Sequence, residues 1–329
     1  MKTGQAATHN THGQSNELPA SQRIPFHDKP DLCEEMLRTV RATIPLAIRS
    51  STIHGSGLFA LRGIDEFHDI FIGKPMAAFP FRFFVGSVCE HCLQDSVQSP
   101  VPCPFCYVAR YCSNECQCAA WWAGHSDECH ILRKLGAVET HVRLAIRHLL
   151  WRQHRKRPSL REDRNKPSLR EQVITNLLNP LSGSDPLHVE RSQQIRDRAE
   201  LVAGTMGTEM DIDEVADVIA KIGHNCVKVR LSHLRNPVGL ALDWLSPTIN
   251  HSCLPNAHVF FEGNILRLRS LRKIKAEEEI TISYIEPSSL TDRESRHEAL
   301  SVRSSFRACQ CRSSFRIYLD NTDVSRPVL

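Results

Sequence analysis

The chain has 329 residues, of which 41% are hydrophobic and 24% charged, with a formal net charge of +4. That length supports a sizeable core and about two domains, and so mild a charge does not by itself demand a nucleic-acid partner. No apolar run approaches the roughly 18–20 residues of a membrane span, and the opening MKTGQAATHNTHGQSNELPA lacks the apolar core of a signal peptide, so neither membrane embedding nor secretion is expected.

Residues 1–22 are rich in Gln, Asn, His, Ser and Thr and predict a disordered tail, within an N-terminal segment drawn at 1–40. DLCEEMLRTVR, 31–41, reads as a short helix. IPLAIRSSTIHGSGLFALRGI, from Ile44, predicts two strands joined by a Gly-rich turn. A cysteine cluster occupies 86–130. Val138, Val142, Ile146, Leu149 and Leu150 recur at helical spacing and predict an amphipathic helix over 137–153. RKRPSLREDRNKPSLREQ follows, and its near repeat of RPSLRE as KPSLRE reads as a duplicated, solvated basic loop. A second helix is predicted over 211–222, with Asp211 or Asp213 as its cap and Ile212, Val215, Ile219 and Ile222 as its stripe. Short strands come next. ILRLRSL alternates apolar residues with Arg, Glu262-Gly263-Asn264 makes a turn, and EEEITISYIEP sets Ile280, Ile282 and Tyr284 on one face against Thr281 and Ser283 on the other. A charged helix is expected over 291–308, before CQC at 309–311.

Eight of the 13 cysteines lie between Cys89 and Cys129. Without secretion, clustered thiols read as metal ligands rather than disulfides. The pairs are Cys89-x2-Cys92, Cys103-x2-Cys106, Cys112-x3-Cys116 and His125-x3-Cys129, enough for two closed tetrahedral zinc sites. A segment of about 40 residues has too little core to fold alone, so metal binding would supply its folding free energy. Cys118 and His91 read as bystanders. The order of the pairs, with RYCSNECQ and WWAGHSDEC, resembles a MYND finger. The resemblance implies interleaved pairing: Cys89, Cys92, Cys112 and Cys116 on one ion, and Cys103, Cys106, His125 and Cys129 on the other. It also implies Pro-containing peptides as partners of this segment.

GSGLFA, NHSCLPN, EEEITISY and CQC, in that order, resemble a SET domain. With the finger inserted after the first of them, the chain resembles the SET–MYND family of protein lysine methyltransferases over about residues 40–311. The fold this implies is α+β: a β-rich SET core at 41–85 and 216–290, an inserted MYND zinc finger at 86–130, a helical insert with its basic loop at 131–215, and a post-SET-like segment at 291–329. The activity it implies is S-adenosylmethionine-dependent N-methylation of a lysine on a histone or non-histone protein, in the cytosol or nucleus. Gly55, Ser56 and Gly57 would line the cofactor through their backbone, an approach that glycine permits. Asn225, Asn250 and His251 would also contact it. Tyr284 would be the catalytic tyrosine, and Phe306 would wall the lysine channel. Cys253, Cys309 and Cys311 would hold a third zinc.

Methyl transfer from a sulfonium to an amine is an in-line displacement in which the protein supplies alignment. The lysine must arrive neutral, and an apolar channel beside a positive sulfonium favours that form. The chain departs from the family pattern in several places. Ser314 stands where a last cysteine belongs, which leaves the third site one ligand short. Val227 replaces a Phe after Asn225, Ala276 replaces a Gly, and Phe306 lies one residue too far from the cysteines. The incomplete cysteine set and Val227 motivate an alternative, a non-catalytic adaptor that binds partners through its finger and keeps the SET core as a degenerate scaffold. Specific nucleic-acid binding is not expected, because no recognition module accompanies the basic loop.

Overall fold

The computed structural model describes residues 46–53, 56–96, 98–156, 186–207, 210–231, 234, 236–243, 245–285 and 293–301. The tail at 1–22, the helix at 31–41, the basic repeat, the last part of the charged helix and CQC lie outside these residues, as do Gly55, Phe306, Cys309 and Cys311. Among the described residues no helix is long and apolar enough to cross a membrane.

The two strands expected near the start form an antiparallel hairpin, β1 (Leu46–Ser50) with β2 (Ser56–Ala60), in which Arg49 faces Gly57. Next come β3 (Asp69–Gly73) and β4 (Ala77–Pro80), then the cysteine-rich segment with a small ribbon of β5 (Val101–Pro102) and β6 (Arg110–Tyr111). Helices α1 (Asn114–Ala120) and α2 (Ser126–Leu135) close that segment. Three longer helices follow: α3 (Thr140–Lys156), α4 (Pro186–Met206) and α5 (Ile212–Asn225). The chain returns to strands with β7 (Val227–Val229), β8 (Gly239–Leu242), β9 (Asn250–His251), β10 (Ala257–Glu262), β11 (Ile265–Ser270) and β12 (Glu279–Ile282), and the last described element is α6 (Arg293–Ser301).

The strands make three main sheets, ordered β1-β2-β12-β9, β10-β11-β3 and β4-β8-β7. Every sheet therefore joins strands from before the cysteine-rich segment to strands from after α5. The first two share a core of residues such as Leu58, Ile70, Phe261, Leu266 and Ile280. The third backs onto α3, α4 and α5 through Phe79, Ile146, Val202 and Ile219. The helices predicted over 137–153 and 211–222 form, as α3 and α5. In α5, Asp211 is the N-cap and accepts from the Asp213 N–H at 2.9 Å, while Val215, Val218, Ile219 and Ile222 are buried.

The alternation expected around Ile280 does not separate a buried face from an exposed one. β12 is an inner strand covered on both faces, so Thr281 is buried together with Ile280 and Ile282. Its backbone is stitched to NHSCLPN. Buried Asn256 accepts from the Thr281 N–H at 2.8 Å and donates to the Glu279 carbonyl at 2.8 Å.

The turn between β10 and β11 falls at Gly263 and Asn264, as the sequence predicts, with Gly263 in the left-handed region at φ 58°. Its tip touches the cysteine-rich segment. The Asn264 amide donates to the His91 carbonyl at 3.0 Å, and a β-carbon on Gly263 would lie 2.9 Å from the Cys92 carbonyl oxygen.

His258, opposite Arg269 on the β10–β11 ladder, stacks on Phe260 with ring centroids 5.0 Å apart. Burial, and then the Arg269 charge, push its pKa from 6.5 down to about 4, against the pull of Asp69. An unfolded chain protonates this histidine near 6.5 and the fold only near 4, so stability falls as pH drops through that window and levels off below it. The total is at most about 3 kcal/mol. Denaturant melts from pH 7 to pH 4 are expected to show this loss, and His258→Phe is expected to remove most of it. A variant that keeps the full acid sensitivity rules His258 out as its source.

Candidate functional site

The cysteine-rich segment builds two four-ligand groups. Cys89, Cys92, Cys112 and Cys116 form one, and Cys103, Cys106, His125 and Cys129 the other, with the ligand atoms of each group within 4.8 Å of one another. A zinc–sulfur bond of about 2.3 Å in a tetrahedron sets neighbouring sulfurs about 3.8 Å apart. The spacings agree: 3.8 Å for Cys92–Cys112, 3.9 Å for Cys103–Cys129, and 3.8 Å from the Cys106 Sγ to the His125 Nε2. The donor sets fit closed structural zinc. Cys118 and His91 belong to neither group.

Local structure explains the spacing. In both C-x2-C pairs the residue four after the first cysteine turns back, with Leu93 N–H on the Cys89 carbonyl and Tyr107 N–H on the Cys103 carbonyl, each at 2.9 Å. Leu93 and Tyr107 both take positive φ, at 56° and 61°, which closes each knuckle around its thiols. Ser113 caps α1 by accepting from the Cys116 N–H at 3.2 Å, which orients the third pair. A kink at Gly124, with φ 109°, sets His125 at the start of α2.

A buried polar group backs the second site. The His125 Nδ1 lies 3.2 Å from the Glu128 Oε1, the arrangement in which a carboxylate fixes the tautomer of a ligating imidazole. Glu128 is fully buried and takes Arg143 at 2.8 Å and Arg147 at 2.7 Å, both from α3. Arg143 also pairs with buried Glu90, inside the first knuckle, at 2.6 Å, and lies 4.0 Å over the Phe79 ring. Burial alone would raise the Glu128 pKa, but Arg143 and Arg147 hold it well below the usual carboxylate range. For Glu90 burial wins over Arg143, and its pKa is raised. Sequence reasoning missed Glu128, although a position three residues after a ligand on a helix was a usable signal.

A second constellation centres on β9, which runs parallel to β12 with Asn250 beside Thr281 and His251 beside Ile282. The Tyr284 N–H donates to the His251 Nδ1 at 3.0 Å, and the Tyr284 hydroxyl donates to the Ile249 carbonyl at 2.6 Å. In the neutral ring the Nε2 then carries the proton, facing the Cys253 Sγ at 3.2 Å. The His251 and Tyr284 rings lie 5.4 Å apart. The Asn250 Nδ2 donates to the Glu279 Oε1 at 2.7 Å. Asn250, His251 and Tyr284 thus form one unit, two strands wide.

A family model described as SET domain matches residues 55–285. The chain belongs to the SET-domain family. It is 29% identical over 259 residues to the histone-lysine N-methyltransferase ASHR1 of Arabidopsis thaliana, a match covering 78% of this chain and 52% of that protein. It is 29% identical over 205 residues to the SET domain and MYND-type zinc finger protein 6 of Schizosaccharomyces pombe, covering 60% of this chain and 38% of that protein. The chain therefore spans about half the length of these curated relatives, or less. Among solved structures, a crystal structure of the SET domain of LSMT bound to lysine and AdoHcy aligns with 84% of this chain and 58% of that chain, at 16% identity and a TM-score of 0.43.

The remaining candidates of the SET reading are scattered. Gly57 is buried in β2 beside the Asn250 unit, where a β-carbon would meet the Glu279 carboxylate at 2.2 Å. The Asn225 amide instead donates to the Lys221 carbonyl at 2.7 Å, ending its own helix, and no hydrogen bond among the described residues ties it to Asn250, His251 or Tyr284. A short polar side chain in a last helical turn is drawn to a free carbonyl, which explains this placement. Cys253 is buried and packs with Ile285 and Leu300.

Proposed function

We propose that this SET-domain chain is an S-adenosylmethionine-dependent protein lysine N-methyltransferase acting on a histone or non-histone protein. The observation that carries the reading is the fixing of Tyr284 at two points, by His251 and by the Ile249 carbonyl, from the same segment that bears Asn250. Its relatives' names, histone-lysine N-methyltransferase among them, support it. When bound, the cofactor supplies a methyl group on a sulfonium. The backbone of 55–57 and residues Asn250, His251 and Asn225 would hold it. A tyrosine oxygen whose proton is committed to a carbonyl acts as an acceptor toward an approaching amine, so Tyr284 orients the neutral lysine for in-line attack. Phe306 would wall the channel. The lysine nitrogen would form a carbon–nitrogen bond as the methyl's bond to sulfur breaks, and the resulting ammonium would release its proton to solvent.

In this reading residues 41–85 and 216–290 are the SET halves, 86–130 the MYND finger with two zinc ions, 131–215 the helical insert, and 291–329 a post-SET-like segment whose Cys309 and Cys311 would join Cys253 in a third zinc site that is one ligand short. The 215/216 division falls within α5. The finger takes Pro-containing peptides, and the protein works in the cytosol or nucleus. A second reading, a non-catalytic adaptor, is favoured by Asn225, whose amide is used within its own helix.

Incubation with labelled S-adenosylmethionine and candidate proteins tests the first reading. Tyr284→Phe and His251→Ala are each expected to lower turnover by about 10²-fold, as misplacement of a reacting group does. Unchanged turnover in both variants sinks the site assignment. Calorimetry showing no cofactor binding at high micromolar concentration selects the adaptor.

A further inference from the structure

Three consecutive glutamates, Glu277, Glu278 and Glu279, lead into β12, and their carboxylates go three ways. Glu277 pairs with Arg49 on the surface. Glu278 turns to Arg272 at 2.7 Å, to the Lys275 N–H at 2.8 Å and to the Asn256 amide at 3.2 Å, locking the approach to the strand. Only Glu279 turns toward Asn250. Its Oε1 accepts from the Asn250 Nδ2 at 2.7 Å, and the Ser51 hydroxyl lies 2.9 and 2.8 Å from its two oxygens. The same carboxylate rests against the Gly57 α-carbon, in the space a side chain there would fill. One half-buried group therefore joins the β1–β2 connection, β2 and β9, which are the segments that carry the proposed cofactor contacts.

We infer that Glu279 is a positioning residue for the cofactor site: it sets the Asn250 amide in one orientation and holds Ser51 and Gly57 against β9. The inference rests on the proposed methyltransferase reading. The physical basis is the symmetry of an asparagine amide. Its oxygen and nitrogen ends are nearly equal in shape, and a neighbour that can only accept, or only donate, decides which end faces it. An ionised carboxylate is such a neighbour, and its bond to an N–H is stronger than a neutral one. Glu279 acts through Asn250, Ser51 and Gly57, without needing to touch the cofactor.

Calorimetric titration of the full chain with S-adenosylmethionine, and separately with S-adenosylhomocysteine, tests this. The first ligand carries a sulfonium charge and the second does not. Glu279→Ala is expected to weaken both by about tenfold or more, and by the same factor. Glu279→Gln can offer the Asn250 amide an oxygen but can equally present its NH2, so it no longer fixes one orientation and is expected to show a smaller loss than Glu279→Ala, equal for the two ligands. Glu277→Ala is expected to match wild type. In the double variant Asn250→Ala/Glu279→Ala the losses are expected to be non-additive, because one residue acts through the other. If Glu279→Ala does not fold, as judged by its melting curve, Glu279→Asp draws the carboxylate back from Asn250 and is expected to show the same equal loss. A loss confined to S-adenosylmethionine, shared by Glu279→Gln, makes Glu279 a direct counter-charge and overturns the positioning role. Additive losses, or wild-type affinity in Glu279→Ala, overturn it as well. A wild-type protein that binds neither ligand overturns the proposed function, and this inference with it.

Discussion

Purified protein is expected to carry two tightly held zinc ions from the finger, with Cys106→Ser and Cys92→Ser each removing one. Metal analysis reads the count. The larger effect is on folding. The finger's own core consists mainly of its ligands and a few neighbours such as Tyr111, Ala120 and Leu132. Structural zinc contributes about 10–16 kcal/mol to small metal-folded domains, far more than such a core supplies. A strong chelator is therefore expected to abolish ordered structure over 89–129, seen as loss of amide protection from hydrogen exchange. The strands of the SET sheets should exchange faster as well, because the finger rests on the β10–β11 tip at Gly263 and Asn264. Retained protection over 89–129 in metal-free protein would refute the closed-site reading.

Arg143→Ala is expected to destabilise the fold by about 3–5 kcal/mol, the usual result of removing one partner from a buried ion pair. Arg143 has two buried acidic partners, Glu90 and Glu128, and stands over Phe79. Truncation leaves Arg147 alone against two carboxylates. Since whole domains are stable by only about 5–15 kcal/mol, the variant should shift the denaturation midpoint strongly. Adding Glu90→Gln should restore part of the loss, because it neutralises the stranded carboxylate nearest the first zinc knuckle. A midpoint change worth less than about 1 kcal/mol would mean that the pair is solvated and contributes little.

What could be read in the sequence was set by local rules. Cysteine pairs two or three residues apart reach one ion whatever the rest of the chain does, so all eight ligands could be named. Which pairs share an ion depends on how two knuckles meet in space, and only the family resemblance supplied it. The stripe of α5 and the Gly263 turn were legible because helical periodicity and left-handed φ are properties of a few adjacent residues. Asn250, His251 and Tyr284 were found through their motifs, but their mutual bonds depend on β9 lying beside β12, a pairing across about 30 residues. Glu279 was invisible for the same reason. Nothing in EEEITISY separates it from its two neighbours until β2 and β9 are placed on either side. Asn225 shows the converse case. Its family position suggests a ligand contact, while its local position, in the last turn of a helix, supplies a nearer partner.

The hairpin tip at Gly263–Asn264 changes how the molecule should be handled. Short turns between strands are ordinarily the places to splice in an epitope, a fluorophore or a whole second domain. Here the tip is a contact point, with its glycine against the Cys92 carbonyl and its asparagine on the His91 carbonyl. Anything inserted there would wedge the finger away from the sheet while leaving every ligand and every residue of the Asn250 unit intact. An engineered fusion at this tip would therefore carry a complete set of motifs on a molecule whose two halves no longer support each other.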